Sequence, residues 1–177
     1  MSFFSDATDS IKNLFKKPTK QGLPDNHEII EEAAKWIGLK EDSPGVDVFR
    51  MAVNNSADGE PWCAAFMMYC AIAVGLRHGR EPSLYPSELC TAIWNKSPEE
   101  CRLEKPIPGS VVIWGHPGTI RGHTGIVESV DFSNNTMITI EGNTSGGKGK
   151  PDGVHRKNRS TKGDPGMYVL GFLNPFV

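Results

Sequence analysis

Two kinds of hydrophobic pattern divide the chain. In the first half, apolar positions recur every three or four residues, the spacing of an amphipathic helix. Residues 27–39, "HEIIEEAAKWIGL", place Ile29, Ile30, Ala33, Ala34 and Ile37 on one face with Trp36 beside it, and Asn26 and Gly38 are the expected cap and stop. After the turn "KEDSPG", the run "VDVFRMAVNN" reads as a second short helix, followed by the loop "SADGEP". A third run, "WCAAFMMYCAIAVGL", is apolar almost all round, which predicts a helix buried on every side. Cys63, Phe66, Cys70 and Val74 share one of its faces, and Asp58, Glu60 and Pro61 suit its start. Residues 77–108 read as irregular, with a short helical piece near "PSELCTAIWNK".

The pattern then changes to short runs rich in valine, isoleucine and threonine, the composition of strands. "GSVVIWG", "GHTGIVESVD" and the alternating "TMITIEGN" follow in order, with a turn at residues 132–135 between the last two. A glycine-rich loop, "SGGKGKPDG", precedes two more strand-like runs, "VHRKNR" and "MYVLGFLNP". Helices first and a meander of antiparallel strands second predict an α+β domain.

Composition narrows the class. The 177 residues are 38% hydrophobic and 23% charged, as in an ordinary globular chain with one core. We divide them into an arm, 1–24, and one domain, 25–177. The arm carries Phe3, Phe4, Ile11, Leu14 and Phe15 on one side of a short helical pattern, and it lacks the apolar centre of a secretory signal. No run approaches the roughly 20 apolar residues of a membrane span. The net charge of -2 gives no electrostatic footprint for nucleic acid. The basic stretch at residues 148–162 has no interleaved aromatic residue, and a solvated loop is the plainer reading of it.

Four cysteines, at 63, 70, 90 and 101, contain no CxxC pair, so a structural zinc site is not expected. Cys70 reads as core, and Cys90 and Cys101 are free thiols or, in an oxidising space, a bridge. Cys63 opens the apolar helix. Taken alone it is a buried thiol or a nucleophile whose thiolate the helix start stabilises. A nucleophile needs an imidazole within reach and an acceptor behind the imidazole. His123 opens one predicted strand and Glu141 ends the next, so a hairpin turning at 132–135 brings the two together at its open end. Asn143 lies two residues beyond. Trp62, next to the thiol, is a wall of a substrate groove or a core residue, and His116 in "WGHPG" is a candidate substrate contact. His27 and His155 have no argument for chemistry.

The ordered set "EPWCAAF", "PGSVVIWG", "GHTGIV" and "IEGN" resembles the CHAP amidohydrolase/peptidase domains of the papain-like NlpC/P60 superfamily, over about residues 26–173. The likeness is nearest to small proteins of phage and prophage type. It implies a papain-like fold with the cysteine heading a helix against an antiparallel sheet. It also implies Cys63 as nucleophile, His123 as general base, Glu141 as the orienting acid and Asn143 as the asparagine that follows it. The substrate implied is bacterial peptidoglycan, cut at the N-acetylmuramoyl-L-alanine amide or within the stem peptide or cross-bridge. Asn55 or Ser56 is a candidate extra oxyanion donor.

Some members of that family bind calcium, but Asp47, Asp58 and Glu60 do not make an alternating ligand loop, so no metal or other cofactor is expected. With no wall-binding module in the sequence, targeting is expected to come from the domain, the arm or a delivery system. The protein is expected to be made in the cytoplasm and to act in the periplasm or at the wall, as a lysin or as a delivered effector with a cognate immunity protein. The competing readings are a protease or deamidase acting on a protein, and a non-catalytic binder on the same fold.

Overall fold

The protein is described from a computed structural model, which covers residues 22–53, 61–148 and 152–177. Most of the expected arm, Asn55, Ser56, Asp58 and Glu60 lie outside the described residues. Helix α1 spans Asn26–Ala34, α2 Gly45–Val53, α3 Cys63–Arg77 and α4 Cys90–Lys96. Asp25, not Asn26, caps α1, because Glu28 three residues on reaches back to the Asp25 amide and closes a capping box. The helix ends at Ala34, and Gly38 takes the left-handed turn (φ +92°) that carries the chain away.

Eleven of the fifteen residues of α3 are buried, as a helix without a polar face requires. Phe66, Met67 and Tyr69 are almost wholly withdrawn from water. Each such side chain contributes about 1.5–3 kcal/mol of transfer free energy. Trp36, Phe49 and Tyr69 meet edge-on or tilted with ring centroids 4.9 to 5.5 Å apart, which ties the turn after α1 to α2 and α3 in one aromatic cluster.

Seven strands follow: β1 (Arg102–Leu103), β2 (Val111–Gly115), β3 (Gly122–Asp131), β4 (Thr136–Ser145), β5 (Asp152–Ser160), β6 (Gly163–Asp164) and β7 (Met167–Leu173). All pair antiparallel, in the order β1-β7-β2-β3-β4-β5, with β6 on β7. The run β2 to β5 is the expected meander. The last strand departs from it, returning to pair with β2 and leaving β5 at the far edge. "VHRKNR" lies within β5, so the second half of the basic stretch is strand rather than solvated loop.

The sheet separates two apolar clusters. Val111, Ile113, Ile126 and Ile140 join the large cluster beneath the helices, while Val112, Trp114, Val127, Met137 and Phe172 form a smaller one. Such alternation along each strand is what a period of two demands. Helix α3 comes very close to β4: a Cβ on Gly142 would lie 2.7 Å from Phe66 Cβ and 2.8 Å from the Trp62 ring. Only glycine admits that approach, which sets the head of α3 beside the strand that carries Glu141. No helix among the described residues is long and apolar enough to cross a membrane.

Candidate active site

Cys63 is the first residue of α3, where the amide groups of the first turn have no partner within the helix. Its sulfur shares a cleft with the His123 ring, and both that ring and the Ala64 amide favour its thiolate form. His123 is the second residue of β3, and its Nε2 lies 2.9 Å from Glu141 Oε2 on β4. The remaining ring nitrogen, Nδ1, is the one left for the thiol. Strands β3 and β4 join across the turn at 132–135, so the hairpin delivers both residues to its open end as the sequence pattern implied.

The Glu141 carboxylate is fully buried, and hydrogen bonds from its neighbours satisfy both of its oxygens. Arg159 on β5 donates from Nε to Oε1 at 2.8 Å and from a terminal nitrogen to Oε2 at 2.6 Å. Thr139 Oγ1 donates to Oε1 at 2.6 Å. A carboxylate so satisfied stays ionised, because paired charge and charge-assisted hydrogen bonds offset the cost of burying it. Trp114 stacks on His123 with centroids 5.6 Å apart and 20° between planes, and the Arg159 guanidinium lies over the same indole at 5.6 Å. The imidazole is thus held flat against an aromatic wall. Gly125 leaves the space through which Glu141 extends, since a Cβ there would lie 2.8 Å from Glu141 Cγ.

The electrostatics favour an ion pair. Cys63 is held well below the ordinary thiol range, first by a hydrogen bond from Cys90, and further by His123 and the Ala64 amide, against the effect of burial. Burial alone would lower His123, but the hydrogen bonds and charges of Cys63 and Glu141 outweigh it and raise it to about 9. Burial would raise Glu141, but Arg159 and His123 bring it down to about 2. Near neutrality the group therefore rests as a thiolate, an imidazolium and a carboxylate.

A cleft of about 450 Å³ opens over this group. Pro61, Glu88, His116, Arg121 and Asn143 line it together with Cys63, Cys90 and His123. His116 is therefore on the cleft wall, its ring Nδ1 3.0 Å from the Gly166 carbonyl. Asn143 also faces the cleft, in a left-handed conformation (φ +52°) that asparagine tolerates. It is Glu141 that bonds His123, and Asn143 does not share that contact.

Trp62 is not on the wall. It is wholly buried and stacks on Phe49 at 5.9 Å, so of the two readings of this tryptophan the structure supports the core. The chain backs into α3 at this residue, turning the indole inward while the next side chain faces the cleft. Cys70 is likewise core, and burial raises it well above the usual thiol range. All four cysteines are free. Cys101 turns toward the Ser83 carbonyl at 3.7 Å, and the sulfur beside Cys90 is that of Cys63, at 3.6 Å. A Cys90–Cys101 bridge is therefore not formed. His78 pairs with Glu28 at the other end of α3, about 22 Å from Cys63 by helix rise, and takes no part in the site.

Three neighbours of the site were not singled out in the sequence: Cys90, Thr139 and Arg159. Thr139 and Glu141 are two apart on β4 and share a face, a signal that strand alternation carries. Arg159 stands opposite Met137 on that same face, which the register of β4 with β5 reveals and the basic composition of the stretch hides. Cys90 left no local signal. Among the described residues no group of acidic, histidine and cysteine side chains is placed to hold a metal ion, and Asp47 is paired with Arg50 at 3.4 Å.

No curated protein matches the chain. Among solved structures, one described as "The crystal structure of Ly7917" is similar at 19% identity with a TM-score of 0.49, covering 85% of this chain and 62% of that one. The chain thus spans less than two thirds of the length of that protein. The family model for the CHAP domain matches residues 55–143, a span that begins before α3 and ends on β4. Cys63, His123, Glu141 and Asn143 all fall inside it, and Arg159 falls outside. The chain belongs to the CHAP domain family.

Proposed function

We propose that the protein hydrolyses an amide bond of bacterial peptidoglycan, with Cys63 as nucleophile, His123 as proton carrier and Glu141 as the group that orients and charges His123. The observation that carries this reading is the Cys63–His123–Glu141 array at the floor of an open cleft. CHAP membership supports peptidoglycan as the substrate class.

The reaction follows from the resting charges. The Cys63 thiolate attacks the carbonyl carbon of the scissile amide, and a backbone amide at the head of α3 receives the developing oxyanion. His123 already carries its proton, so its first task is to give that proton from Nδ1 to the departing amine. A thioester on Cys63 remains. Neutral His123 then takes a proton from water, whose oxygen attacks the thioester, releasing a carboxylic acid and restoring the ion pair. Glu141 stays ionised throughout, because Arg159 neutralises it through both oxygens, sharing Oε2 with His123. His116 and Asn143 contact the substrate from the cleft walls.

Digestion of purified peptidoglycan, followed by mass analysis of the fragments, tests the reading. New amino termini within the stem peptide or cross-bridge identify an endopeptidase. L-alanine peptides freed from muramic acid identify an amidase. The absence of fragments from every wall type, alongside cleavage or deamidation of a protein, would replace this reading with the protein-directed one.

A further inference from the structure

We propose that Cys90 is a positioning residue for the nucleophile: its thiol donates a hydrogen bond to the Cys63 sulfur and holds that sulfur on the His123 side of the cleft. The inference rests on the reading of Cys63 as nucleophile and deepens it.

The two sulfurs are 3.6 Å apart, within range of a hydrogen bond between sulfur atoms. They come from different helices, each cysteine being the first residue of its own, α3 or α4. Neither is free to swing away. Cys90 is 2% exposed and Cys63 4%. The turn that carries Cys90 is fixed by the Ala92 and Ile93 amides, which both donate to the Leu89 carbonyl, and Ile93 is fully buried. On the other side Gly122 packs so closely that a Cβ there would lie 3.3 Å from Cys90 Cβ.

One proton lies between these sulfurs, and the surroundings decide which keeps it. Cys63 has the Ala64 amide and the His123 ring beside it, so negative charge is favoured there. Cys90 has its own backbone amide beside it but no cation comparable to His123. Cys90 therefore keeps its hydrogen and Cys63 accepts it. The directions of titration agree, since the contact lowers Cys63 and raises Cys90. The other titratable groups facing the pair are His123 from β3, Glu141 behind it, and Glu88, His116 and Arg121 on the cleft walls. A hydrogen bond to the charged form of a group favours that form, so a donating thiol helps hold Cys63 as its thiolate.

The test is the pH profile of Cys63 alkylation by iodoacetamide, site-resolved by peptide mass analysis, in the wild type, Cys90→Ala and Cys90→Ser. In Cys90→Ala the alkylation midpoint is expected to rise by about one pH unit, so that about tenfold less thiolate is present below it. Turnover at low pH should fall in step. Cys90→Ser, whose hydroxyl also donates, should restore part of the shift. A purely structural Cys90 would lower the urea midpoint in both variants without moving the alkylation profile. An unmoved midpoint in folded Cys90→Ala, with Cys63→Ala inactive, overturns the inference and leaves the function standing. Turnover retained in Cys63→Ala overturns both.

Discussion

Arg159 grips both oxygens of Glu141, at 2.8 and 2.6 Å, from a strand that lies beyond the residues matched to the CHAP domain. The carboxylate behind the His123 imidazole is therefore not set by the β3–β4 hairpin alone. The hairpin brings Glu141 to His123, and β5 supplies the cation that lets a fully buried acid remain charged. The same guanidinium lies 5.6 Å from the centre of the Trp114 ring on which His123 stacks. One side chain thus secures the acid and meets the aromatic wall.

Arg159→Met should leave a buried carboxylate with only Thr139 and His123 to satisfy it. Breaking one side of a buried pair costs about 3–5 kcal/mol, so the urea midpoint should fall sharply. Turnover should fall as well, because Glu141 is then no longer held in one orientation. Arg159→Lys keeps the charge and loses the two-pronged contact, and should lie between the two. Unfolding of Arg159→Met at the wild-type urea concentration would contradict the role given to this pair.

Gly125→Ala tests position rather than charge. The new methyl would lie 2.8 Å from Glu141 Cγ, the middle of a side chain pinned at its far end by Arg159. Glu141 must then move, and His123 with it. Misplacement of a catalytic group by about 1 Å costs on the order of a hundredfold in rate. The expected result is a large loss of kcat in a protein that still folds, with little change in KM. A variant with wild-type kcat would show that the Glu141 contact is not needed.

Much of this site was legible from local pattern. Cys63 heads a run with no polar face, so its helix had to be central, and its place at the start of that helix followed. His123 and Glu141 bracket two strands of matched length joined by a short turn, so pattern alone carried them to one end. Asp25 displaced Asn26 as the cap because the Glu28 partner sets the count. What pattern could not carry was anything set by packing between distant elements. Cys90 reaches Cys63 only because α4 lies over the end of β3, and Arg159 reaches Glu141 only through the register of an edge strand. Trp62 shows the same limit, since adjacency to the thiol did not say which way the indole faces.

The pH dependence of turnover should be sharper than that of stability. Turnover needs the Cys63 thiolate and the His123 cation together, and His123 is raised to about 9, so kcat/KM should fall as pH rises through about 9. A raised histidine stabilises the fold fully below its ordinary value of 6.5 and loses that contribution as pH rises to about 9. A lowered cysteine works in the other sense: its contribution is complete above the ordinary 9.0 and shrinks as pH falls. Between 6.5 and about 9 the two offset each other, so urea midpoints should stay nearly flat where turnover does not. On the acid side Glu141, lowered to about 2 from 4.5, should weaken the fold as pH falls from 4.5 through about 2. Turnover that keeps rising above pH 9 would remove the cation from the mechanism.

The contact that positions Cys63 also exposes it to oxidation in a defined way. Hydrogen peroxide should transfer one oxygen to the Cys63 thiolate, giving a sulfenic acid and releasing hydroxide. The Cys90 thiol, 3.6 Å away, then attacks that sulfur, an S–S bond forms, and water leaves. The sulfurs need only close to the roughly 2.05 Å of a disulfide. Treated enzyme should lose activity, lose two hydrogens in mass with Cys63 and Cys90 in one linked peptide pair, and recover fully with dithiothreitol. Cys90→Ala has no second thiol in reach and should instead pass to the sulfinic acid, which dithiothreitol does not reverse. Equal recovery in Cys90→Ala and the wild type would mean that the two sulfurs do not meet in solution.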